Sequence, residues 1–141
     1  DSKSLIQLFK TTKAKELNNV KAKHYVVLEK LIAECKARQH GEIYGVFNDK
    51  KIIAAAFMVK SHNKIINLFN ASSQEGYNKK AMFFLFDSFF RTNSEKVITF
   101  DFEGSKVPGV ARFYKGFGAE TVEFPILYFN KLSFPLKHFI K

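Results

Sequence analysis

The chain has no tryptophan, one cysteine and three prolines among its 141 residues. A lone cysteine excludes an internal disulfide and a zinc site built from several cysteines, and it fits a reducing compartment. The longest unbroken apolar run, 52–59, is too short to cross a bilayer as a helix. The opening residues also lack the pattern of a secretory signal, so we expect a cytoplasmic protein without a transmembrane segment.

Acidic residues are also scarce, since 13 Asp and Glu stand against 23 Lys and Arg, for a formal net charge of +10. Such a surplus favours anionic partners: a nucleotide cofactor, a transfer RNA or an acidic membrane surface. It is equally typical of a lysine-rich surface that faces water. The four histidines are scattered without the spacing of metal ligands, so the sequence predicts no metal site.

Phenylalanine, in contrast, is abundant, at 17 of the 141 residues. This abundance predicts either a core built from flat rings or a groove lined with them. Five of the phenylalanines fall within one predicted helix, and we expect them to belong to the core. They are Phe83, Phe84, Phe86, Phe89 and Phe90.

Hydrophobic periodicity and turn residues predict the order α, α, β, β, β, α, β, α, β. We expect the first helix to begin at a cap formed by Ser2 or Ser4, and the second to end at a left-handed Gly41. The remaining elements are strands at 43–47, 52–60 and 64–70, a helix at 77–91, a strand at 96–102, a helix from Pro108 to Gly118 and a strand at 121–129.

This order predicts an α/β (α+β) fold with a mixed, mainly antiparallel sheet and helices on both faces. The first three strands form a meander, and the fourth is reached through a crossover helix. We expect a single domain over residues 1–141. Where the third strand parts from the fourth, a crevice can open for a ligand.

Two carboxylates, Asp101 and Glu103, mark the end of the predicted strand 96–102. If the strand continues through both residues, their side chains share one face, and the pKa of one can shift enough for it to act as a general base. The alternative is structural. In that case Asp101 pairs with a lysine, and Glu103 caps the next helix or faces water.

Two motifs follow this strand. The segment 111–119, ARFYKGFGA, resembles the helix motif of GNAT acyltransferases in which a tyrosine stands four residues before a glycine, here Tyr114 and Gly118. The segment 101–105, DFEGS, resembles a strand end of the FemABX peptidoglycan aminoacyltransferases and their relatives. With the element order, these motifs make the chain similar to the C-terminal acetyltransferase-like domain of FemABX-type proteins. The resemblance implies a longer tandem protein with a preceding N-terminal domain.

The resemblance also implies roles for individual residues. Tyr114 would protonate the departing thiolate of coenzyme A, although an aromatic residue at this helical spacing otherwise belongs to the core. The segment 73–80 would hold the pyrophosphate of acetyl-CoA or another acyl-CoA at a helix N-terminus. Its candidate binding residues are Ser73, Gln74, Gly76, Lys79 and Lys80. FemABX proteins use aminoacyl-tRNA in place of coenzyme A.

These observations lead to three functional hypotheses. The first is an enzyme that transfers an acyl or aminoacyl group from acetyl-CoA or aminoacyl-tRNA to a small-molecule or peptide amine, with Asp101 or Glu103 as base and Tyr114 as acid. The second is a non-catalytic substrate-binding half of a tandem FemABX-like protein. The third is a sequence-independent RNA binder that uses the +10 charge.

Overall fold

The structure is a computed structural model that describes residues 1–12, 20–123 and 125–127. The chain divides into two units, Asp1–Gly104 and Ser105–Lys141. The first unit contains helices α1 (Ser2–Thr12), α2 (Ala22–Ala37), α3 (Gln74–Asn78) and α4 (Ala81–Thr92), with strands β1 (Gly41–Asn48), β2 (Lys51–Ser61), β3 (Lys64–Ser72) and β4 (Thr99–Asp101). The second unit contains helix α5 (Pro108–Lys115).

The first unit is built on a four-stranded sheet in the order β1-β2-β3-β4. Strands β1, β2 and β3 form an antiparallel meander, and their turns place Asp49 and His62 at positive φ. Strand β4 is parallel to β3, because the chain crosses over through α3 and α4. The predicted mixed, mainly antiparallel sheet is therefore confirmed.

Helices cover both faces of this sheet, as predicted. Helices α1 and α2 lie on one face over Phe57, which is fully buried. Helix α4 lies on the other face, where its Phe86 packs edge-to-face on Phe100 and Phe102. Strand β2 runs between these two layers, and its residues from Ile53 to Met58 are all buried.

The phenylalanines of α4 divide between core and surface. Phe86 and Phe89 are buried, and Phe90 contacts Phe100 at a ring-centroid distance of 4.9 Å. Phe83 and Phe84 are 48% and 61% exposed, so the prediction that they belong to the core was wrong. The buried positions of α4 are 81, 85, 86 and 89, and helical spacing places residues 83 and 84 on the outer side.

Two predicted helix ends also differ from the structure. The cap of α1 is Asp1, whose Oδ1 accepts a hydrogen bond from the backbone N–H of Ser4 at 2.7 Å. The left-handed residue after α2 is Gln39, with φ 59°, and Gly41 instead starts β1. Glycine is needed at 41 for space, because a Cβ there would lie 2.7 Å from the Cβ of Cys35.

The long helix predicted at 77–91 is broken into α3 and α4. The break lies at Lys80, which adopts a left-handed conformation with φ 54°. Strand β4 is also shorter than predicted and ends at Asp101. Residues 121–123 and 125–127 form no strand, and the rest of the strand predicted at 121–129 lies outside the described residues.

We find no helix in the described part of the chain that is long and apolar enough to span a membrane.

Candidate functional site

The sheet opens between β3 and β4. These strands pair only where Lys64 to Ile66 lie beside Thr99 to Asp101. Strand β3 then continues to Ser72, and among the described residues its 67–72 part has no strand partner on that side. The backbone groups along this edge are therefore available to a ligand that lies between the strands.

A β-bulge marks the start of this opening. Phe57 of β2 pairs with Phe69, while the next residue, Met58, pairs with Asn67. Leu68 is thus an extra residue in β3, and it is 40% exposed. Bulges bend a strand and increase its twist, and this bulge lies just beyond the last residue pair of β3 with β4.

Asn67 lies between the last residue pair of β3 with β4 and the bulge. It is only 3% exposed, and its cross-strand partner Met58 lines a cavity together with Phe89 of α4. Because cross-strand partners share a face, Asn67 lies on the α4 side of the sheet. The sequence analysis did not select this residue, although an asparagine within the apolar strand pattern IINLF was the available signal.

Asp101 and Glu103 are brought together by a tight turn and not by a continuous strand. The backbone N–H of Glu103 donates a 2.7 Å hydrogen bond to Oδ1 of Asp101. The strand has ended by then, so the condition for both side chains to share one strand face is not met. Glu103 is exposed and left-handed, with φ 61°, which is uncommon for a residue with a side chain.

The carboxylate of Asp101 forms an ion pair with Lys64, whose Nζ lies 2.5 Å from Oδ2. The hydrogen bond from Lys64 and then the N–H of Glu103 lower the pKa of Asp101 below its ordinary value of 3.8. Asp101 is therefore ionised at neutral pH, as the structural alternative from the sequence anticipated. Both of its oxygens are engaged in holding the turn at the end of β4.

The ion pair predicts a pH-dependent difference in stability. Folding lowers the pKa of Asp101, so its carboxylate stabilises the folded protein. This stabilisation is fully present above about pH 3.8 and is lost as the pH falls through the lowered pKa. We expect Asp101→Asn to lower the denaturant midpoint at about pH 6 and to match the original protein at about pH 2. Urea unfolding at the two pH values measures this, and an equal difference at both would contradict it.

The segment 73–80 forms a turn after β3, and its first residue has a structural role. Ser73 caps α3, because its Oγ accepts a 3.0 Å hydrogen bond from the N–H of Gly76. The same hydroxyl donates to the carbonyl of Ile53 at 3.2 Å. Gln74 donates to the side chain of Asn78 at 3.2 Å. Their side chains thus fix the turn itself.

Gly76 is buried, and here the reason for glycine is steric. A Cβ at this position would lie 2.2 Å from the carbonyl oxygen of Ile53. The glycine therefore allows α3 to lie directly on the backbone of β2. This contact fixes where the following helix, α4, begins.

The two lysines of this segment have different surroundings. Lys79 lies 3.6 Å from the carboxylate of Glu75, which also accepts hydrogen bonds from Asn48 and Lys51. These partners, Asn48 first, lower the pKa of Glu75, so Glu75 is ionised and offsets the charge of Lys79. Lys80 is exposed at the N-terminus of α4, where it forms no side-chain cap bond.

Tyr114 lies in the second unit, near the end of α5. It is half-buried, and its ring centroid lies 5.8 Å from that of Phe113. Pro108 occupies the first turn of this helix, as predicted, but the helix ends at Lys115 and not at the predicted Gly118, which has φ 79°.

A cavity of about 420 Å³ lies at the opposite end of the sheet from the segment 73–80. It is lined by the first residues of β1 and the last of β2, among them Tyr44 and Lys60. Burial, followed by a 2.8 Å hydrogen bond to Glu42, raises the pKa of Tyr44 to about 12. Tyr44 is therefore neutral under ordinary conditions.

Solved structures with a similar fold are acetyltransferases. One is AAC(6')-Iy in complex with the bisubstrate analogue CoA-S-monomethyl-acetylneamine, with a TM-score of 0.62 over 90% of this chain and 92% of that one, at 11% identity. A possible acetyltransferase from Clostridium difficile 630 has a TM-score of 0.63 over 94% of this chain and 90% of that one, at 14% identity. For the aminoglycoside 6'-N-acetyltransferase AAC(6')-IG from Acinetobacter haemolyticus, the TM-score is 0.63 over 93% of this chain and 92% of that one, at 9% identity.

No protein-family model and no curated protein sequence matches the chain. The structural matches extend over nearly the whole of each chain, so they do not depend on one motif. The chain therefore shares the fold of these acetyltransferases, which confirms the predicted fold class. The narrower resemblance to FemABX-type proteins and the predicted preceding domain remain predictions.

Proposed function

We propose that the protein is an N-acyltransferase that moves an acyl group, in the simplest case acetyl, from an acyl-CoA to an amine. The observation that carries this proposal is the opening of the sheet between β3 and β4, next to the bulge at Leu68. An extended acyl-CoA arm matches such an opening, because its amides can pair with the exposed strand edge as a strand would. One structural neighbour was solved with a coenzyme A bisubstrate analogue.

The nucleotide end of the donor is assigned to the turn that follows β3. Helix α4 has twelve residues, and its N-terminal N–H groups carry the positive end of the helix dipole. Lys80 adds an exposed positive charge there. Lys79 contributes less because Glu75 offsets its charge. Ser73, Gln74 and Gly76 are proposed to act by shaping the turn.

The chemistry requires a base for the amine and an acid for the thiolate. We assign the base to Glu103, since its carboxylate is exposed while both oxygens of Asp101 are engaged. Asp101 then holds the turn that presents Glu103. The amine nitrogen forms a bond to the acyl carbon, the carbon–sulfur bond breaks, and Glu103 accepts the proton. We assign protonation of the released thiolate to Tyr114, on the motif that it shares with GNAT enzymes.

The acceptor is proposed to be a small-molecule or peptide amine with little positive charge. Structural neighbours include aminoglycoside acetyltransferases, one of them solved with sisomicin. Aminoglycosides carry several amino groups, and the net charge of +10 on this chain would repel them at long range. Acetylation rates across a panel that runs from peptides to aminoglycosides test this, and a preference for the aminoglycosides would contradict it.

A second candidate is a non-catalytic binding half of a tandem protein. It is favoured by one observation: the side chains of Ser73 and Gln74 are used within the turn, and Lys79 is offset by Glu75. Few side chains of the turn are then left to hold a pyrophosphate. In this case an aminoacyl-tRNA or a partner domain would supply the reacting group.

Calorimetric titration with acetyl-CoA separates the two candidates. We expect one-to-one binding that weakens at higher salt and weakens further in Lys80→Gln, because a phosphate contact is lost. Lys30→Gln is the matched control, since Lys30 is also exposed but lies on α2. No binding by the original protein would contradict the acyl-CoA proposal and favour the second candidate.

A further inference from the structure

The cavity beside Tyr44 is separate from the opening that is proposed to hold the acyl donor. It has a volume of about 420 Å³ and lies on the α4 side of the sheet, at the start of β1 and the end of β2. Its lining includes no residue of the free strand edge 67–72 or of the turn 73–80. A cavity of this size can hold a small organic molecule, for which the proposed function has no role.

The floor of this cavity is apolar and partly aromatic. Met58 of β2 and Phe89 of α4 line it, and the rings of Phe89 and Tyr44 meet edge-to-face with their centroids 5.3 Å apart. Ile65 at the start of β3 and Ile98 just before β4 complete the floor. Because aromatic rings pack well edge-to-face or offset, such a floor favours a ligand that contains a flat ring.

Three lysine side chains surround the apolar floor, and they come from three separate segments. Lys36 lies near the end of α2, Lys60 lies on β2, and Lys96 follows α4. All three are exposed, and none forms an ion pair with another residue that the structure describes. Positive charges gathered around one cleft raise the local concentration of anions, because the low-dielectric walls focus the electric field.

The fold positions two of these lysines at the cavity. Lys60 follows Met58 by two residues, so it lies on the same face of β2, beside its cross-strand partner Ile65. Lys96 donates a 2.8 Å hydrogen bond from Nζ to Oδ1 of Asn93. An ammonium group has three donors, so Lys96 keeps two of them for a ligand.

The negative groups at the cavity already accept hydrogen bonds. Glu42 is the one carboxylate among the described residues of the lining, and its Oε2 accepts the 2.8 Å bond from the hydroxyl of Tyr44. At the C-terminal end of α4, the carbonyl of Phe89 accepts a 2.8 Å bond from Nδ2 of Asn93. Three lysines therefore stand against one engaged carboxylate, and the cavity presents a net positive charge to a ligand.

We propose that this cavity is a second binding site, which takes a small aromatic carboxylate. The ring of the ligand lies on the floor formed by Met58 and Phe89, and its carboxylate lies among the three lysines. Inorganic phosphate is too small to cover the floor, and an uncharged ring would leave the lysines without a counter-charge. The proposal does not depend on the proposed function, because the two sites share no described residue.

Three probes test whether the site requires both a ring and a negative charge. Cinnamate has both, cinnamamide has the ring alone, and acetate has the charge alone. We expect cinnamate to bind the full chain about 10-fold more tightly than either of the others, because a charged hydrogen bond is gained and the ring is buried. NMR of the backbone amides should show saturable shifts at Gly41 and Lys60, which line the cavity. Absent or unselective binding of cinnamate, or shifts confined to other parts of the chain, would overturn the proposal.

Lysine substitutions test whether the charge of the cavity itself binds the carboxylate. Lys60→Gln and Lys96→Gln should each weaken cinnamate binding about 3–10-fold, because a charged donor is lost. Lys50→Gln is the matched control, since Lys50 is also exposed but lies in the turn at the other end of β1 and β2. It should bind cinnamate as the original protein does.

Two outcomes of this series would contradict the proposal. Equal weakening by all three substitutions would show a general attraction of anions to a basic surface. Unchanged binding in both Lys60→Gln and Lys96→Gln would show that the lysines of the cavity do not contact the ligand. Because all the substituted lysines are exposed, neither outcome can be attributed to a loss of folding.

A competition experiment separates this site from the one proposed for the acyl donor. Coenzyme A should leave the affinity for cinnamate unchanged, and displacement of cinnamate by coenzyme A would overturn the assignment of a second site. If coenzyme A binds and cinnamate does not, this proposal fails and the proposed function stands. If cinnamate binds and coenzyme A does not, the proposed function fails and the second site stands.

Discussion

Replacing Gly76 by alanine is expected to lower the free energy of unfolding by about 3 kcal/mol. A Cβ at this position would lie 2.2 Å from the carbonyl oxygen of Ile53 and 2.5 Å from Oγ of Ser72. The first contact is with backbone in the central strand β2, so neither side can move without disturbing the sheet. Chemical denaturation measured by circular dichroism gives the difference directly.

The control for this substitution is Gly109→Ala. Gly109 lies inside α5, and a Cβ there would meet nothing within 4 Å. Because alanine favours a helix more than glycine does, we expect this control to leave the protein as stable or slightly more stable. If Gly76→Ala were as stable as this control, the close contact of α3 with β2 would be contradicted. The explanation given for where α4 begins would then be wrong as well.

The second large effect is expected on catalysis. Tyr114→Phe should lower kcat on the order of 100-fold, because the general acid is removed while the ring remains. Glu103→Gln should lower kcat at least as much, since an amide cannot accept the proton of the amine. Asp101→Asn should have a smaller effect, because asparagine can still accept the N–H bond that holds the turn. Steady-state rates with acetyl-CoA and a reactive amine measure all three.

Two further measurements distinguish a loss of catalysis from a loss of folding. Tyr25→Phe is the matched control, because Tyr25 lies on α2 and its ring contact with Phe9 is kept. Its kcat should be unchanged. The thermal unfolding midpoints of Tyr114→Phe and Glu103→Gln should stay close to that of the original protein, whereas that of Asp101→Asn should be lower because its ion pair with Lys64 is lost. Unchanged rates for both Tyr114→Phe and Glu103→Gln would remove the catalytic roles assigned here.

Local sequence patterns predicted most elements but placed several boundaries wrongly. The meander was readable because its turns are polar and its strands are apolar, and α5 was readable from Pro108 and Gly118. The break at Lys80 was missed because lysine rarely adopts a left-handed conformation, so its side chain gives no warning. The exposure of Phe84 was missed because five phenylalanines within residues 83–90 cannot all lie on one face of a helix, and the sequence did not show which face meets the sheet.

The sequence likewise predicted some features of the candidate site and missed others. The sequence located the end of β4, the turn after β3 and the tyrosine motif, since each is a local pattern of polar residues beside an apolar segment. It did not reveal that Asn48 and Lys51 also bind the carboxylate of Glu75, because these two residues come from a distant turn. It also left open whether Asp101 or Glu103 is the base. The ion pair with Lys64 engages Asp101 and therefore favours Glu103 for the proposed role.

The sequence by itself determined the three-stranded meander, the crossover into a parallel fourth strand and the helix that begins at Pro108, because periodicity and turn residues act over a few neighbouring positions. Only the tertiary structure decided where the pairing of β3 with β4 ends, which polar side chain of β3 is buried there, and why residue 76 must be glycine. These features depend on contacts between segments far apart in the chain, and such contacts form only when the strands pair and the helices pack on them.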